Sequence, residues 1–186
     1  EFTLEKLSEM ISKKEVERKY QIPQDNKIIL GVAAIWEKRK GLDDFLLLAK
    51  HLGKEYSLVL VGLSQTQKKR LPNNVIGIER TENVKELVAL YSRADIFLNP
   101  SREETFSMVT VEAFSCGTPV IVLDTSAVKE LVTNCNGIVM NKYEINDYLE
   151  AIKEIENRNL SREQVAQTAQ KYSSKIVNAQ IVEKYK

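Results

Sequence analysis

Short runs of consecutive apolar, β-favouring residues recur along this chain, each separated from the next by an amphipathic stretch, and that alternation constrains the fold more than any other feature. The runs at 27–33, 57–61, 75–78, 96–99, 120–123 and 137–140 read as strands. Several are apolar at successive positions rather than at alternate ones, as strands covered on both faces are. The stretches between and after them read as helices at 42–52, 65–70, 84–93, 106–115, 127–132 and 143–155. In the first of these, Leu42, Phe45, Leu46, Ala49 and Leu52 share one stripe at helical spacing, so one side faces a sheet. Strand and helix in strict alternation predict an α/β fold, a Rossmann-like parallel sheet of about six strands with helices on both faces.

Further helical stretches open the chain at 4–20, before Pro23, and close it at 162–171 and 174–185. Their apolar stripes are weaker, and packing on a neighbouring domain or lying solvated on the surface are both open to them. The expected division is a flanking helix and linker over 1–26 and the Rossmann-like domain with its closing helices over 27–186. With 186 residues, 43% of them apolar, one core can be built but not two.

Several function classes are excluded by what the chain holds. Lys and Arg number 27 against 26 Asp and Glu, interspersed in sign, which implies no nucleic-acid partner. There is one histidine, His51, and the two cysteines, Cys116 and Cys135, form no CxxC pair, so no zinc site is expected. Both thiols are expected reduced and partly buried, as in a cytoplasmic protein. The longest apolar runs fall far short of the ~20 residues that span a bilayer, and no signal-peptide pattern opens the sequence. The first residue is Glu1, which fits a processed product or a fragment.

Chemistry concentrates in 99–120, NPSREETFSMVTVEAFSCGTPV, which begins at the carboxyl end of a strand, the edge where open parallel sheets bind ligands. Thr105 reads as the N-cap of the helix that follows. The amides of Phe106, Ser107 and Met108 would then lack intrahelical partners and suit a diphosphate. Glu104 and Glu112 would lie roughly 12 Å apart if a helical rise of ~1.5 Å per residue held between them, about the size of a nucleotide sugar. Each carboxylate can accept two hydrogen bonds from a vicinal diol. Glu112 sits among Val109, Val111, Ala113 and Phe114, and a carboxylate in such company has a partner. Gly117 and Pro119 then stop the helix.

On Pro100, Ser101, Glu104, Phe106, Glu112, Ala113, Gly117, Thr118, Pro119, Val120 and Ile121, this segment resembles the signature of the group 1, or family 4, retaining glycosyltransferases of GT-B fold. Lys40-Gly41 resembles the family's pair before the first helix, 58–62 its second strand and glycine turn, and Leu90, Tyr91, Ala94 and Asp95 the helix end before the signature. The resemblance covers roughly 27–140. It implies that this is the C-terminal, donor-binding domain of such an enzyme, lacking the N-terminal acceptor-binding domain and inactive alone. The reaction implied is transfer of a hexose-type sugar from a nucleoside-diphosphate sugar to a glycan or lipid-linked acceptor, with retention. By resemblance, Lys40 and Glu104 are the catalytic candidates, with Lys40 neutralising the diphosphate and Glu104 accepting from sugar hydroxyls. Glu112 takes the ribose diol, the amides of Phe106, Ser107 and Met108 take sugar or phosphate, and 78–80 lies near the base.

Two positions depart from the family pattern. Ala34 and Ile35 stand where an arginine is usual, so that Lys38 or Arg39 is left as the second phosphate cation, and Ser107 stands where glycine is preferred. The donor is a substrate, and neither a cofactor nor an obligatory divalent ion is expected, since no DxD motif stands out. A cytoplasmic enzyme, peripheral at the membrane's inner face in its full form, is implied. Two rivals stay open at this stage. One is a GT-B sugar-nucleotide epimerase. The other is a non-catalytic nucleotide-binding or flavodoxin-like signalling module, although 38–40 is basic where a receiver domain is acidic.

Overall fold

The computed structural model describes residues 13–104, 106–125 and 127–172. Six strands, β1 (Lys27–Val32), β2 (Tyr56–Val61), β3 (Val75–Ile78), β4 (Ile96–Asn99), β5 (Val120–Leu123) and β6 (Gly137–Met140), form one sheet in the order β3-β2-β1-β4-β5-β6. Every pairing is parallel. The order reverses between β1 and β4, and the carboxyl ends of those two strands border the crevice that such a reversal opens.

The helices are α1 (Lys13–Tyr20), α2 (Leu42–Ala49), α3 (Gln65–Lys68), α4 (Val84–Arg93), α5 (Met108–Ser115), α6 (Ile145–Arg158) and α7 (Arg162–Ala169), with 3-10 turns at Lys38–Lys40, Ala127–Leu131 and Gln170–Tyr172. Successive strand residues feed opposite cores. Ile28 and Leu30 pack with Val16 of α1, Val88 of α4, Phe114 of α5 and Val165 of α7. Ile29, between them in β1, packs with Phe45 and Leu48 of α2 and with Tyr148 and Ile152 of α6. This two-sided burial is why the strands read as unbroken apolar runs.

The expected strands at 75–78, 96–99, 120–123 and 137–140 match the structure residue for residue, as does the helix at 84–93. Differences fall at helix ends and in short segments. The stretch at 127–132 is a 3-10 turn, and α3 is a single turn held by a capping box in which Ser64 and Gln67 exchange hydrogen bonds. Neither flanking helix lies loose on the surface within the described residues. Val16 of α1 is fully buried, and Glu17 of α1 pairs with Arg93 of α4. Val165 of α7 is likewise buried, and Arg162 at its start donates to the carbonyl of Ala94. The expected helix at 174–185, the first part of 4–20 and the proposed N-cap Thr105 lie outside the described residues.

Gly62 shows how tightly the strand ends are set. It follows β2 at φ +97°, and a Cβ there would meet the Ala33 carbonyl oxygen at 1.7 Å. No side chain fits that approach.

Candidate functional site at the carboxyl edge of β1 and β4

The loop after β1 is anchored by Trp36, whose indole Nε1 donates to the Val61 carbonyl at 2.9 Å and whose ring meets Phe45 edge-on at 5.5 Å. The 3-10 turn Lys38–Lys40 follows, and Gly41, at φ +77°, turns the chain into α2. A Cβ on Gly41 would lie 2.7 Å from the backbone oxygen of Pro100, so the close approach of this loop to the one after β4 requires glycine.

Two sets of contacts join the two loops, and a third ties the loop after β4 to α2 and the region of α6. The amide of Arg102 donates to the Arg39 carbonyl at 2.8 Å, and Arg39 Nη1 donates to the Glu103 carbonyl at 3.3 Å. Lys40 Nζ pairs with Glu104 Oε1, with side chains 20% and 11% exposed, so the ion pair is mostly withdrawn from water. Arg102 Nη2 donates to Asp44 Oδ1 at 3.0 Å, its guanidinium lies over the Tyr143 ring, and the Tyr148 hydroxyl donates to the same Asp44 oxygen at 3.0 Å.

Glu104 is also held from within its own loop. The Ser101 hydroxyl donates to Glu104 Oε1 at 3.1 Å, Asn99 Oδ1 accepts from the Ser101 amide at 3.3 Å, and Thr125 donates to the Ser101 carbonyl at 2.9 Å.

Helix α5 begins at Met108, later than the expected 106, with Ser107 as N-cap. The reason is a buried polar cluster. Asn99 Nδ2 donates to the hydroxyls of Ser107 and Thr110 at 3.0 and 3.1 Å, and the Thr110 hydroxyl donates to Ser107 Oγ at 2.9 Å. Ser107 therefore turns inward and makes no side-chain cap. Because α5 begins only at Met108, the rise used to space Glu104 from Glu112 applies only from there onward. The amides of Thr110 and Val111 are taken by the Ser107 carbonyl, while those of Met108 and Val109 have no acceptor among the described residues. Phe106 and Met108 stand 47% and 58% exposed at this rim.

Glu112 has the partner its apolar surroundings called for. The Tyr91 hydroxyl, from the end of α4, donates to Glu112 Oε2 at 3.0 Å. Burial holds the Glu112 carboxyl above the ordinary carboxylate range, and the Tyr91 hydrogen bond opposes that rise. Burial together with the Glu112 charge raises the Tyr91 phenol well above its usual value.

The fold thus gathers Lys40, Arg39, Glu104, Phe106, Ser107, Met108 and Glu112 on two neighbouring loops and one helix. The Arg39 guanidinium is engaged, donating to Glu37 at 2.7 Å and to the Glu103 carbonyl, so it acts here as a strap between the loops. Lys38, Arg39 and Arg102, with Asp43, Asp44 and Leu47, line a groove of about 490 Å³ beside it. His51, just past α2, is exposed, with its ring Nδ1 2.9 Å from the Leu47 carbonyl oxygen. Cys116 is buried, its thiol pushed up to about 12 by that burial, and Cys135 is exposed.

Sequence reasoning assigned no role to Asn99, Ser101, Arg102 or Tyr91 as partners of the site. The one local signal was Asn99, a polar residue ending an apolar strand, where burial demands hydrogen-bond partners.

An open, doubly wound parallel sheet with an ion pair and a helix start at its switch point defines a ligand-binding domain of Rossmann type. Its sequence matches the family described as "Glycosyl transferases group 1" over residues 12–172, and the chain belongs to that family. Among similar proteins, the alpha-galactosylglucosyldiacylglycerol synthase of Streptococcus pneumoniae is 36% identical over 121 residues, 58% of this chain and 32% of that protein. The O-antigen chain mannosyltransferase RfbU of Salmonella typhimurium is 30% identical over 157 residues, 80% of this chain and 41% of that protein. The chain thus spans less than half the length of these two relatives. Among solved structures, a glycosyltransferase from Rickettsia africae superposes with a TM-score of 0.76 at 18% identity, over 99% of this chain and 52% of that one. Anabaena Alr3699/HepE, in complex with UDP and glucose, superposes at 0.69 with 22% identity, over 99% and 52% respectively. At those identities the likeness speaks for the fold.

Proposed function

We propose that this chain is the donor-binding half of a retaining GT-B glycosyltransferase and holds a nucleoside-diphosphate sugar at the carboxyl edge of β1 and β4. The observation that carries this reading is the meeting of Lys40 and Glu104 across the β1–β4 switch, next to a helix start with uncapped amides. Family membership and the complex of the similarly folded Anabaena Alr3699/HepE with UDP and glucose support the same ligand class.

In this reading the diphosphate lies between the Lys40 ammonium and the amides of Met108 and Val109. As the bond from the anomeric carbon to the diphosphate oxygen breaks, negative charge grows on the departing diphosphate, and fixed donors in a partly dry site stabilise it without reorganising. Lys40 supplies the positive charge. Glu104 accepts from hydroxyls of the sugar, and Glu112, steadied by Tyr91, accepts from the ribose diol. Phe106 and Met108 offer apolar surface at the rim, and Arg39 holds the loops together rather than gripping phosphate.

The acceptor side belongs to a second domain, for which the greater length of the relatives leaves room. The transferred group is a hexose-type sugar, and the acceptor a glycan or lipid-linked one, as the names of the relatives suggest. No helix among the described residues is long and apolar enough to cross a membrane, and we place the enzyme at the cytoplasmic side of one, where nucleotide sugars are supplied.

Isothermal calorimetry against UDP, GDP and ADP tests this. Saturable binding of at least one is expected, through the phosphate and ribose contacts assigned above to Lys40, the start of α5 and Glu112. A folded sample that binds none of the three contradicts the proposal.

A further inference from the structure

Both of the donors that reach Glu104 converge on one of its two oxygens. Lys40 Nζ and the Ser101 hydroxyl each bond to Oε1, and Oε2 has no partner among the described residues. The side chain is only 11% exposed, so an unpartnered carboxylate oxygen here is costly unless a ligand completes it. Ser101 itself is 2% exposed and fixed at both ends of its backbone, its amide to Asn99 Oδ1 at 3.3 Å and its carbonyl to the Thr125 hydroxyl at 2.9 Å. A serine pinned this way has little freedom to aim its hydroxyl elsewhere.

We infer that Ser101 is a positioning residue for Glu104. With Thr125 behind it, it holds Oε1 so that Oε2 is presented to the hydroxyls of the donor's sugar. This rests on the donor-site reading and deepens it, because it assigns the sugar, and not the diphosphate, to the oriented oxygen. Lys40 alone would not fix the carboxylate, since an ammonium on a flexible stem follows its partner as the partner turns. When a diphosphate draws Lys40 away, Ser101 is the contact that keeps Glu104 aimed. The sugar's contribution to binding therefore depends on a residue that need not touch the sugar.

The test compares a nucleoside diphosphate with its sugar conjugate on the same protein, using UDP with UDP-glucose, GDP with GDP-mannose and ADP with ADP-glucose. Ser101→Ala should weaken the sugar nucleotide by at least ~5-fold relative to wild type, about what losing one hydrogen bond to a charged group allows, while leaving the bare diphosphate within ~2-fold. Thr125→Val removes the anchor of Ser101 without touching Ser101 or Glu104 and should shift the same ratio in the same direction. It serves also if Ser101→Ala fails to fold. Equal weakening of both ligands by both variants would make Ser101 a merely structural residue, and no change in either would make it idle; each overturns the inference. A wild type that binds a diphosphate but gains nothing from the sugar overturns it too, leaving the diphosphate site standing. Failure to bind any ligand of the panel removes the donor-site reading together with this one.

Discussion

Lys40 and Glu104 stand 64 positions apart in the chain, and their side chains form an ion pair that bridges the loops after β1 and β4. The cation proposed for the diphosphate and the carboxylate proposed for the sugar are paired through Oε1 of Glu104. In the proposed complex Lys40 exchanges this carboxylate for the diphosphate, while Glu104 keeps the Ser101 hydroxyl and gains the hydroxyls of the sugar.

Lys40→Ala should therefore do two things. Diphosphate affinity should fall by ~10-fold or more, with nucleoside affinity changed by less than ~2-fold, because an ammonium acts on the phosphate charge. The folded chain should also lose about 1–3 kcal/mol, because the Glu104 carboxylate keeps only the Ser101 hydroxyl in a mostly dry place. Titration against UDP and uridine, with a denaturant melt alongside, reads both. Equal losses for the two ligands would move Lys40 away from the phosphates.

Glu112→Gln keeps the shape of the side chain and its capacity to accept from Tyr91, but it turns a double acceptor into a mixed donor and acceptor. A hydrogen bond to a charged group is worth about 1.5–3 kcal/mol, so ribonucleotide affinity should fall roughly tenfold or more. Affinity for the 2′-deoxy analogue, which already lacks half the diol, should fall less. Calorimetry with the two nucleotides on both proteins decides, and equal losses would make Glu112 structural.

The pH dependence of stability gives a separate handle on the same carboxylate. Burial raises the Glu112 carboxyl above its unfolded value, against the lowering pull of Tyr91. Between the unfolded and the folded value, the folded chain binds more protons, so stability falls as pH rises through that window. The contribution is fully present below the unfolded value and is lost above the folded one. Glu112→Gln should flatten this part of the profile, so that the difference in melting temperature, variant minus wild type, grows more positive as pH rises through the ordinary carboxylate range and above it. Tyr91→Phe removes the opposing hydrogen bond and should extend the fall to higher pH. Parallel profiles for wild type and Glu112→Gln would contradict the assignment.

How much of this was legible in the sequence depends on how local the cause is. Strands at 75–78, 96–99, 120–123 and 137–140 could be read to the residue, because burial on both faces writes itself into consecutive apolar positions. Glu104, Glu112 and Lys40 could be picked out by resemblance, and Glu112 also by its apolar neighbours. What holds them could not. Tyr91 meets Glu112 from 21 positions away, Arg102 meets Asp44 from 58 and Tyr148 meets Asp44 from 104, and no local pattern encodes such partners. The start of α5 was misplaced for a related reason. Asn99, on a different element, withdraws the Ser107 hydroxyl from the backbone, and tertiary contact overrode the local helix signal.

The most direct test of the donor site is a map of amide shifts on titration with UDP, or with whichever nucleoside diphosphate binds. The largest changes should fall at Lys40, Gly41, Met108 and Val109, with smaller ones along α5 to Glu112, and they should weaken together in Lys40→Ala. Shifts confined to the groove between α1 and α4, lined by Glu15, Val16, Arg18, Lys19 and Glu86 and about 280 Å³ in volume, would contradict it, as would no shifts at all on a folded sample.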